Sequence, residues 1–288
     1  MKYRLSWGKL LIVLFLLFVV AVTLYPFIYM ISVSLSKDIY VLKGQISLWP
    51  KGLNFKVYRL VLEDPRIVKG YLNTAIYVIV GTTVSLIVTA AGAYAVSKKE
   101  MLFYRTFTLL IVFTIFFGGG MIPTFLVVKS LGLIDTRWAM ILPTAVVSWY
   151  LIIMRTFFSA FPKELEESAK IDGLNDFGIF FRLVLPLSKA VLATIGLFYA
   201  VSIWNNFYSA LLYLRNSDLF PLQVVLRNIV LAGQVNSVKV TSIGQDSLIV
   251  EESLKYATII VSTVPILLIY PFLQKYFSQG AMVGSVKG

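Results

Sequence analysis

The chain has 288 residues, of which 58% are hydrophobic and only 14% charged, and its mean hydropathy is +0.83. Because soluble domains are about 45–50% apolar and about a quarter charged, this composition excludes an ordinary soluble protein. The chain has no Cys and no His, which excludes disulfides and removes the commonest general base and metal ligand, so no metal site is expected. The net charge of +12 is expected on membrane flanks and loops instead of on a nucleic-acid surface.

Six stretches of 17 to 25 residues contain no Asp, Glu, Lys or Arg. About 20 apolar residues cross the hydrocarbon core as a helix, and a charge at the centre of such a helix costs about 2.5–3.5 kcal/mol. The pattern predicts an all-α polytopic membrane protein with one transmembrane domain over residues 1–288. Its six transmembrane helices are predicted near residues 10–33, 72–96, 106–128, 138–158, 190–214 and 256–276. The first run is too long for the apolar core of a signal peptide and no A-x-A-like site follows it, so we expect it to be retained.

Small residues mark the second and third predicted spans. The second span carries four of them at four-residue spacing: Gly81, Ser85, Thr89 and Ala93. This spacing lets helix backbones approach closely in a membrane, either within the chain or against a sister subunit. In the third span, three glycines at 118–120 precede Pro123 and predict a break in the helix.

The even number of spans places both termini on the same side of the membrane. The short link between the second and third spans carries Lys98, Lys99 and Arg105, and the first nine residues carry three more basic side chains. Since basic residues in short segments mark the cytoplasmic side, we expect both termini to be cytoplasmic.

The link between the fourth and fifth spans, residues 162–178, lies on the same side and is rich in charge. Pro162 can begin a helix, where its missing N–H is not needed, and Gly173 can end it in a left-handed cap. The helix dipole favours the three glutamates of the first turns, Glu164, Glu166 and Glu167. One side of the predicted helix carries Leu165, Ser168, Ala169 and Asp172. This side is predicted to dock against a partner, with an ordinary surface helix as the alternative.

The fifth predicted span combines aromatic and amide side chains. Trp204 and Tyr208 are four residues apart on one helical face, and Asn205 and Asn206 lie between them. Polar residues at such depth usually face a cavity or the bundle interior. The four residues are therefore candidates for the lining of a translocation path. The alternative is that the asparagines bridge helices and the aromatic rings only pack.

The charged link also carries a sequence motif. Glu167-Ser168-Ala169, three residues, Gly173, nine residues and Leu183-Val184-Leu185-Pro186 resemble the E-A-A-x3-G-x9-I-x-L-P signature of importer permeases of the ATP-binding-cassette superfamily. Ser168 replaces the first Ala and Leu183 the Ile. The resemblance implies the MetI-like fold of type I importer permeases, in which this cytoplasmic loop forms a coupling helix seated on the ATPase. The coupling residues implied are Glu167, Ser168, Ala169, Asp172, Gly173, Leu185 and Pro186.

Four further segments look like those of maltose-type carbohydrate permeases: residues 119–123, 131–136, 204–207 and 221–223. The segments 255–261, 270–277 and 284–288 are similar to the branch that imports oligosaccharides and polysaccharide fragments. The resemblance implies a permease subunit that forms half of a carbohydrate path across the bacterial plasma membrane. The implied partners are a second permease in a heterodimer, two ATPase subunits and an extracytoplasmic solute-binding protein.

No phosphate-binding G-x-x-x-x-G-K-[ST] motif occurs in the chain. We therefore expect the chain to be no enzyme and to hold no cofactor, with ATP and magnesium bound by the partner ATPases. The alternative from another class is an ion-coupled secondary transporter. Such proteins place ionisable relays within the membrane, and the six uncharged stretches of 17 to 25 residues lack Asp, Glu, Lys, Arg and His, which disfavours this alternative.

Overall fold

The computed structural model describes residues 7–236 and 252–268, and all regular secondary structure in these residues is helical. The helices are α1 Trp7–Ser34, α2 Asp38–Leu42, α3 Lys56–Glu63, α4 Pro65–Ser97, α5 Tyr104–Phe116, α6 Met121–Ser130, α7 Trp138–Ile141, α8 Ser148–Phe158, α9 Lys163–Ile171, α10 Asp176–Ile179, α11 Leu185–Leu187, α12 Lys189–Trp204, α13 Tyr208–Tyr213, α14 Leu222–Asn236 and α15, residues 252–268. A 3-10 turn, Leu142–Thr144, extends α7, and a π turn, Phe180–Val184, joins α10 to α11.

Two of these helices, α1 and α4, are long and apolar enough to cross a membrane unbroken. They contain the first and second predicted spans. The third span is broken between α5 and α6, whose axes differ by 117°. The break falls at the three glycines, as the sequence predicts, and Gly120 has a positive φ of 81°. The fourth span bends by 53° between Trp138–Thr144 and α8.

The fifth predicted span, 190–214, is not one helix. The α12 helix ends at Trp204, and α13 begins at Tyr208 after a three-residue interruption. The prediction of a continuous helix was wrong here because hydropathy measures apolarity and not backbone continuity. The sixth span, 256–276, is helical as far as residue 268, and its remainder lies outside the described residues, as do the motif segments 270–277 and 284–288.

The chain divides into two compact units. The first comprises residues 1–68 and 225–266, and within it the loop after α1 folds back on the end of that helix. Ser32 donates a hydrogen bond of 2.7 Å to the carbonyl of Leu48, and the Ser36 hydroxyl accepts one of 3.0 Å from the N–H of Lys51. Val33 is buried with Val41 and Ile46 in a small cluster next to Tyr256.

The second unit comprises residues 69–224 and 267–288, and its described part is organised around α4. Ser85, Thr89 and Ala93 are buried almost completely, which shows that this small-residue face packs within the chain. Thr89 and Tyr199 of α12 share a hydrogen bond of 2.7 Å, and the Tyr199 hydroxyl also accepts from the N–H of Val147 at 3.0 Å. These bonds hold α12 and the start of α8 against α4.

The close approach on this face predicts that a Gly81→Leu variant is destabilised. A Cβ at Gly81 would lie 2.9 Å from Cδ1 of Ile203, and overpacking of this kind costs about 1–3 kcal/mol. We expect the thermal midpoint of the purified transporter to fall by about 2–10 °C. Ala75→Leu is the matched control, because Ala75 is exposed on the same helix. Equal midpoints for the two variants would contradict the tight packing at Gly81.

Candidate functional site

The charged link folds into α9, whose ends are set by residues local to it. Pro162 occupies the N-cap position and Asp172 the C-cap. Gly173 follows with a φ of 82°, a left-handed conformation that favours glycine. The N–H of Gly173 donates to the carbonyl of Lys170, and the N–H of Leu174 donates to that of Ala169, both at 3.0 Å. This pair of bonds is a Schellman cap, so the helix ends where the sequence predicts.

The two sides of α9 differ in burial. Ala169 is only 8% exposed and packs in a cluster with Tyr94 and Met154. The outward side consists of exposed residues: Glu164, Leu165, Glu167, Ser168, Ile171 and Asp172. Ile171 is 86% exposed, which is unusual for an isoleucine on a helix. The structure therefore separates Ala169 from Ser168 and Asp172, although the sequence pattern groups them on one side.

An ion pair joins α9 to the end of α4. The Lys98 ammonium, one residue beyond α4, contacts the Glu166 carboxylate, and the two side chains are 25% and 23% exposed. The same ammonium lies 4.5 Å from the ring centroid of Tyr94. Burial alone would lower the pKa of Lys98, but its hydrogen bond to Glu166 and its contact with Tyr94 outweigh burial and raise the pKa above the ordinary value. Lys98 therefore stays charged at physiological pH.

The second half of the motif, from Leu183 to Pro186, comes after a second capped helix start. The side chain of Asn175 accepts a hydrogen bond of 2.8 Å from the N–H of Gly178 and starts α10. Ile179 and Val184 are fully buried in the cluster that holds Ala169. Leu185 is half-buried, and Pro186 is exposed at the end of this segment. The motif residues thus form two surfaces: an inward anchor that includes Ala169, and an outward face with Glu167, Ser168, Asp172 and Gly173.

The aromatic and amide candidates lie at a different place in the same unit. Because α12 ends at Trp204, Trp204 and Tyr208 do not share one continuous helical face, which corrects the expectation from their spacing. The Tyr208 hydroxyl instead contacts the sulfur of Met121, the first residue of α6. The interruption of the fifth span therefore adjoins the glycine break of the third. Sequence analysis missed Met121, since nothing local to it indicates the contact.

The two asparagines have different partners. Asn206 is tied to the first turn of α13: its amide donates to the Ser209 hydroxyl at 3.0 Å, and its carbonyl oxygen accepts from the Ser209 N–H at 3.1 Å. Asn205 is exposed and donates to the carbonyl of Val201 at 2.9 Å, which leaves its own carbonyl side open. Trp204 is half-buried, with its ring centroid 6.5 Å from that of Tyr71.

Among residues 7–236 and 252–268, no group of three Asp or Glu side chains is placed to hold a metal ion. The chain matches the family model described as "Binding-protein-dependent transport system inner membrane component" over residues 81–283. The chain belongs to this family. It is a transporter permease component and not a catalytic subunit, and its all-helical architecture is the MetI-like fold. Permeases of this family act together with partner subunits.

Similar proteins cover the whole chain. The permease is 45% identical over all 288 residues, 100% of both chains, to the "Polygalacturonan/rhamnogalacturonan transport system permease protein YtcP" of Bacillus subtilis. It is 28% identical to the "Arabinooligosaccharides transport system permease protein AraQ" of Halalkalibacterium halodurans, over 99% of this chain and 97% of that one. A chain from the crystal structure of a bacterial ABC transporter "involved in the import of the acidic polysaccharide alginate" matches with a TM-score of 0.86 and 33% identity, over 96% of the permease and 100% of that chain.

Sequence analysis of the permease also missed Lys98 and Glu166 as partners. A usable signal was present, because both charges lie in links that the prediction places on the same side of the membrane. Opposite charges in such links are candidates for pairing. Nine other charged residues in these two links made the choice ambiguous, among them Lys99 and Glu164.

Proposed function

We propose that this chain forms half of the translocation path of an ATP-driven oligosaccharide importer, with α9 as its coupling helix. The observation that carries the proposal is the construction of α9: it is capped at both ends, anchored to α4 by Lys98 and Glu166, and exposed on the opposite side. A helix held in this way can transmit a movement of a partner subunit to α4, because its inner side is fixed to α4 and its outer side is exposed to the partner.

The side chains on the outer face of α9 suggest the kind of surface to which it binds. Three exposed carboxylates, Glu164, Glu167 and Asp172, share the outward side of α9 with the exposed Ile171. A complementary groove has an apolar floor with basic side chains at its rim. We assign this groove to an ATPase subunit, which also holds ATP and magnesium. Gly173, at the end of α9, permits close approach because it has no side chain.

The proposed assembly contains this chain, a second permease as its heterodimer partner, two ATPase subunits and an extracytoplasmic solute-binding protein. It resides in the bacterial plasma membrane, with both termini and α9 on the cytoplasmic side. The basic residues Lys98, Lys99 and Arg105 in the short link after α4 support this orientation.

The path is proposed to run along the two helix breaks. Non-helical backbone at membrane depth is tolerated where it is buried in protein or lines a water-filled cavity. Gly118, Gly119 and Gly120 are exposed in this chain, as are Asn205 and Tyr208. The exposed glycine backbone and the open carbonyl side of the Asn205 amide suit the hydroxyl groups of a sugar, and aromatic rings suit its apolar faces. Asn206 is satisfied within the chain, so we give it a structural part.

The substrate class follows from the relatives. The two relatives at 45% and 33% identity are named for polygalacturonan or rhamnogalacturonan and for alginate, whereas the arabinooligosaccharide relative is 28% identical. We propose that the chain transports oligosaccharide fragments of an acidic polysaccharide. Uptake of uronic-acid oligosaccharides should exceed that of neutral oligosaccharides of the same length, and the reverse preference would contradict this assignment.

The assembly is tested by affinity purification of the tagged chain from native membranes in mild detergent, with copurifying proteins identified by mass spectrometry. We expect a second permease and an ATPase, and a solute-binding protein when substrate is added. Reproducible recovery of the folded chain alone would contradict the ATP-driven importer.

A Trp204→Ala variant is expected to slow transport without loss of assembly. An aromatic contact contributes about 0.5–1.5 kcal/mol, so uptake of labelled oligosaccharide should fall about 2- to 10-fold. Trp204→Phe keeps an aromatic face and should retain most of the uptake. Loss of copurifying subunits in the Ala variant would show instead that Trp204 is a packing residue.

A further inference from the structure

A cavity of about 700 Å³ lies between α4, the end of α9 and the segment that contains α10 and α11. Every residue that lines it belongs to the second unit. Three alanines of α4, Ala90, Ala91 and Ala95, create the hollow because their side chains are short. Phe180 and Phe181 also line the cavity. Most of the wall is therefore apolar.

One end of the cavity is charged. The α4 helix carries no charged residue from Leu72 to Val96, and the cavity wall then continues with Lys98 and Glu100. Lys170 and Asp176 also line the cavity, with 3.8 Å between the Lys170 ammonium and an Asp176 carboxylate oxygen. The lining thus changes from apolar to charged just after Val96, where the uncharged stretch of α4 ends.

We propose that this cavity binds a phospholipid of the surrounding bilayer, with acyl chain along α4 and headgroup at the charged end. A molecule that fills this cavity needs an apolar part beside the alanines of α4 and a charged part beside Lys98 and Glu100. A bilayer phospholipid has such parts in its acyl chains and its headgroup. From Leu86 to Lys98 the helix rises about 18 Å, close to half of the roughly 30 Å hydrocarbon core. A sugar does not fit this cavity, because the hydroxyl groups around its ring would lie against a wall that is mostly apolar and offers them no hydrogen-bond partners.

The charged end also selects the headgroup. It contains two basic and two acidic side chains, Lys98, Lys170, Glu100 and Asp176. Lys98 also pairs with Glu166 and Lys170 with Asp176, but each ammonium has three N–H donors, so donors remain for a phosphate, and the Glu100 carboxylate can accept from an ammonium. A zwitterionic headgroup satisfies both sets, whereas an anionic headgroup leaves the carboxylates opposed by like charge. The structure therefore assigns the cavity to phosphatidylethanolamine in preference to phosphatidylglycerol. This inference needs only that the chain is embedded in a membrane, and it stands independently of the coupling role of α9.

The test uses the chain together with its copurifying subunits, reconstituted into lipid nanodiscs. Phosphatidylethanolamine with a photoactivatable group on one acyl chain is included as the probe, and labelled peptides are identified by mass spectrometry after irradiation. We expect labels on α4 between Leu86 and Ala95. Ala91→Trp fills the hollow and should reduce this labelling about tenfold. Ala75→Trp makes the same change at an exposed α4 position away from the cavity and should leave it unchanged.

Three results would overturn the proposal. Labelling of α4 that is equal in the Ala91→Trp and wild-type proteins would show that the lipid lies elsewhere. Competition by phosphatidylglycerol as effective as that by phosphatidylethanolamine would contradict the assigned headgroup. Failure of the Ala91→Trp chain alone to assemble, while Ala75→Trp assembles, would show that a partner subunit covers this surface.

Discussion

A Gly173→Asp variant is expected to abolish sugar uptake while the chain remains inserted in the membrane. Gly173 has a φ of 82°, and a non-glycine residue in this conformation costs about 1–2 kcal/mol. No atom lies within 4 Å of the position that a Cβ would take, so α9 can keep its fold. The new carboxylate would lie beside Asp172 on the outer face of α9. In the proposed interface an added like charge costs several kcal/mol, so uptake should fall by about a hundredfold or more.

The measurement is uptake of labelled oligosaccharide by whole cells, with immunoblots of the membrane fraction to confirm insertion. Gly173→Asn is the matched control, because Asn has the same shape, tolerates the left-handed conformation and carries no charge. We expect the Asn variant to retain most of the uptake. Full uptake by the Asp variant would refute the assignment of α9 as the coupling helix, and equal loss in both variants would attribute the defect to the cap.

The second large effect is expected at the ion pair between Lys98 and Glu166. Lys98→Glu places two carboxylates together where the side chains are about three-quarters buried. Exposed pairs contribute about 0–1 kcal/mol and the loss of one partner of a buried pair costs about 3–5 kcal/mol, so this intermediate site should cost about 1–3 kcal/mol. Transport should therefore fall about 5- to 100-fold. The exchanged pair, Lys98→Glu with Glu166→Lys, should recover most of this loss.

The informative readout for this pair is the coupling of ATP hydrolysis to transport. In reconstituted transporter, we expect Lys98→Glu to lower the stimulation of ATPase activity by loaded binding protein more than it lowers the unstimulated rate. The raised pKa of Lys98 means that its contribution is present below its ordinary pKa of 10.5 and is lost only as the pH rises through the higher folded value. The defect should thus be the same from about pH 6 to pH 9. A charge exchange that restores nothing would contradict a direct role for the pair.

Much of the fold can be predicted from the sequence because membrane insertion depends on local composition. The uncharged runs locate α1 and α4, and three consecutive glycines locate the break after α5. The interruption after Trp204 could not be predicted in this way. Asn205 and Asn206 carry no charge, so the mean hydropathy of the segment stays high across the break. The contact that Tyr208 makes beside the break is with Met121, which is 87 residues away in the chain.

The proposed coupling site can also be predicted only in part from the sequence. Pro162 and Gly173 determine the ends of α9 through backbone geometry alone, so the sequence predicts them well. The inner side of the helix is held by long-range contacts: Lys98 is 68 residues from Glu166 in the chain, and Ala169 packs in a cluster with Tyr94 and Met154. No local pattern contains this information, and for this reason Ala169 is assigned to the outer face by sequence and to the inner face by structure.

The break in the third span also has a consequence for how the protein is made. The α5 helix has 13 residues and α6 has 10, which correspond to lengths of about 20 and 15 Å, so neither bridges the roughly 30 Å core alone. At the glycine break, the backbone N–H and C=O groups that lose their helical partners would lack hydrogen-bond partners in lipid. However, α5 packs on α8, and Thr114 and Ser148 share a hydrogen bond of 2.8 Å across that contact. Because α8 is synthesised after α5, we expect α5 to become stable in the bilayer only once α8 is present to pack against it.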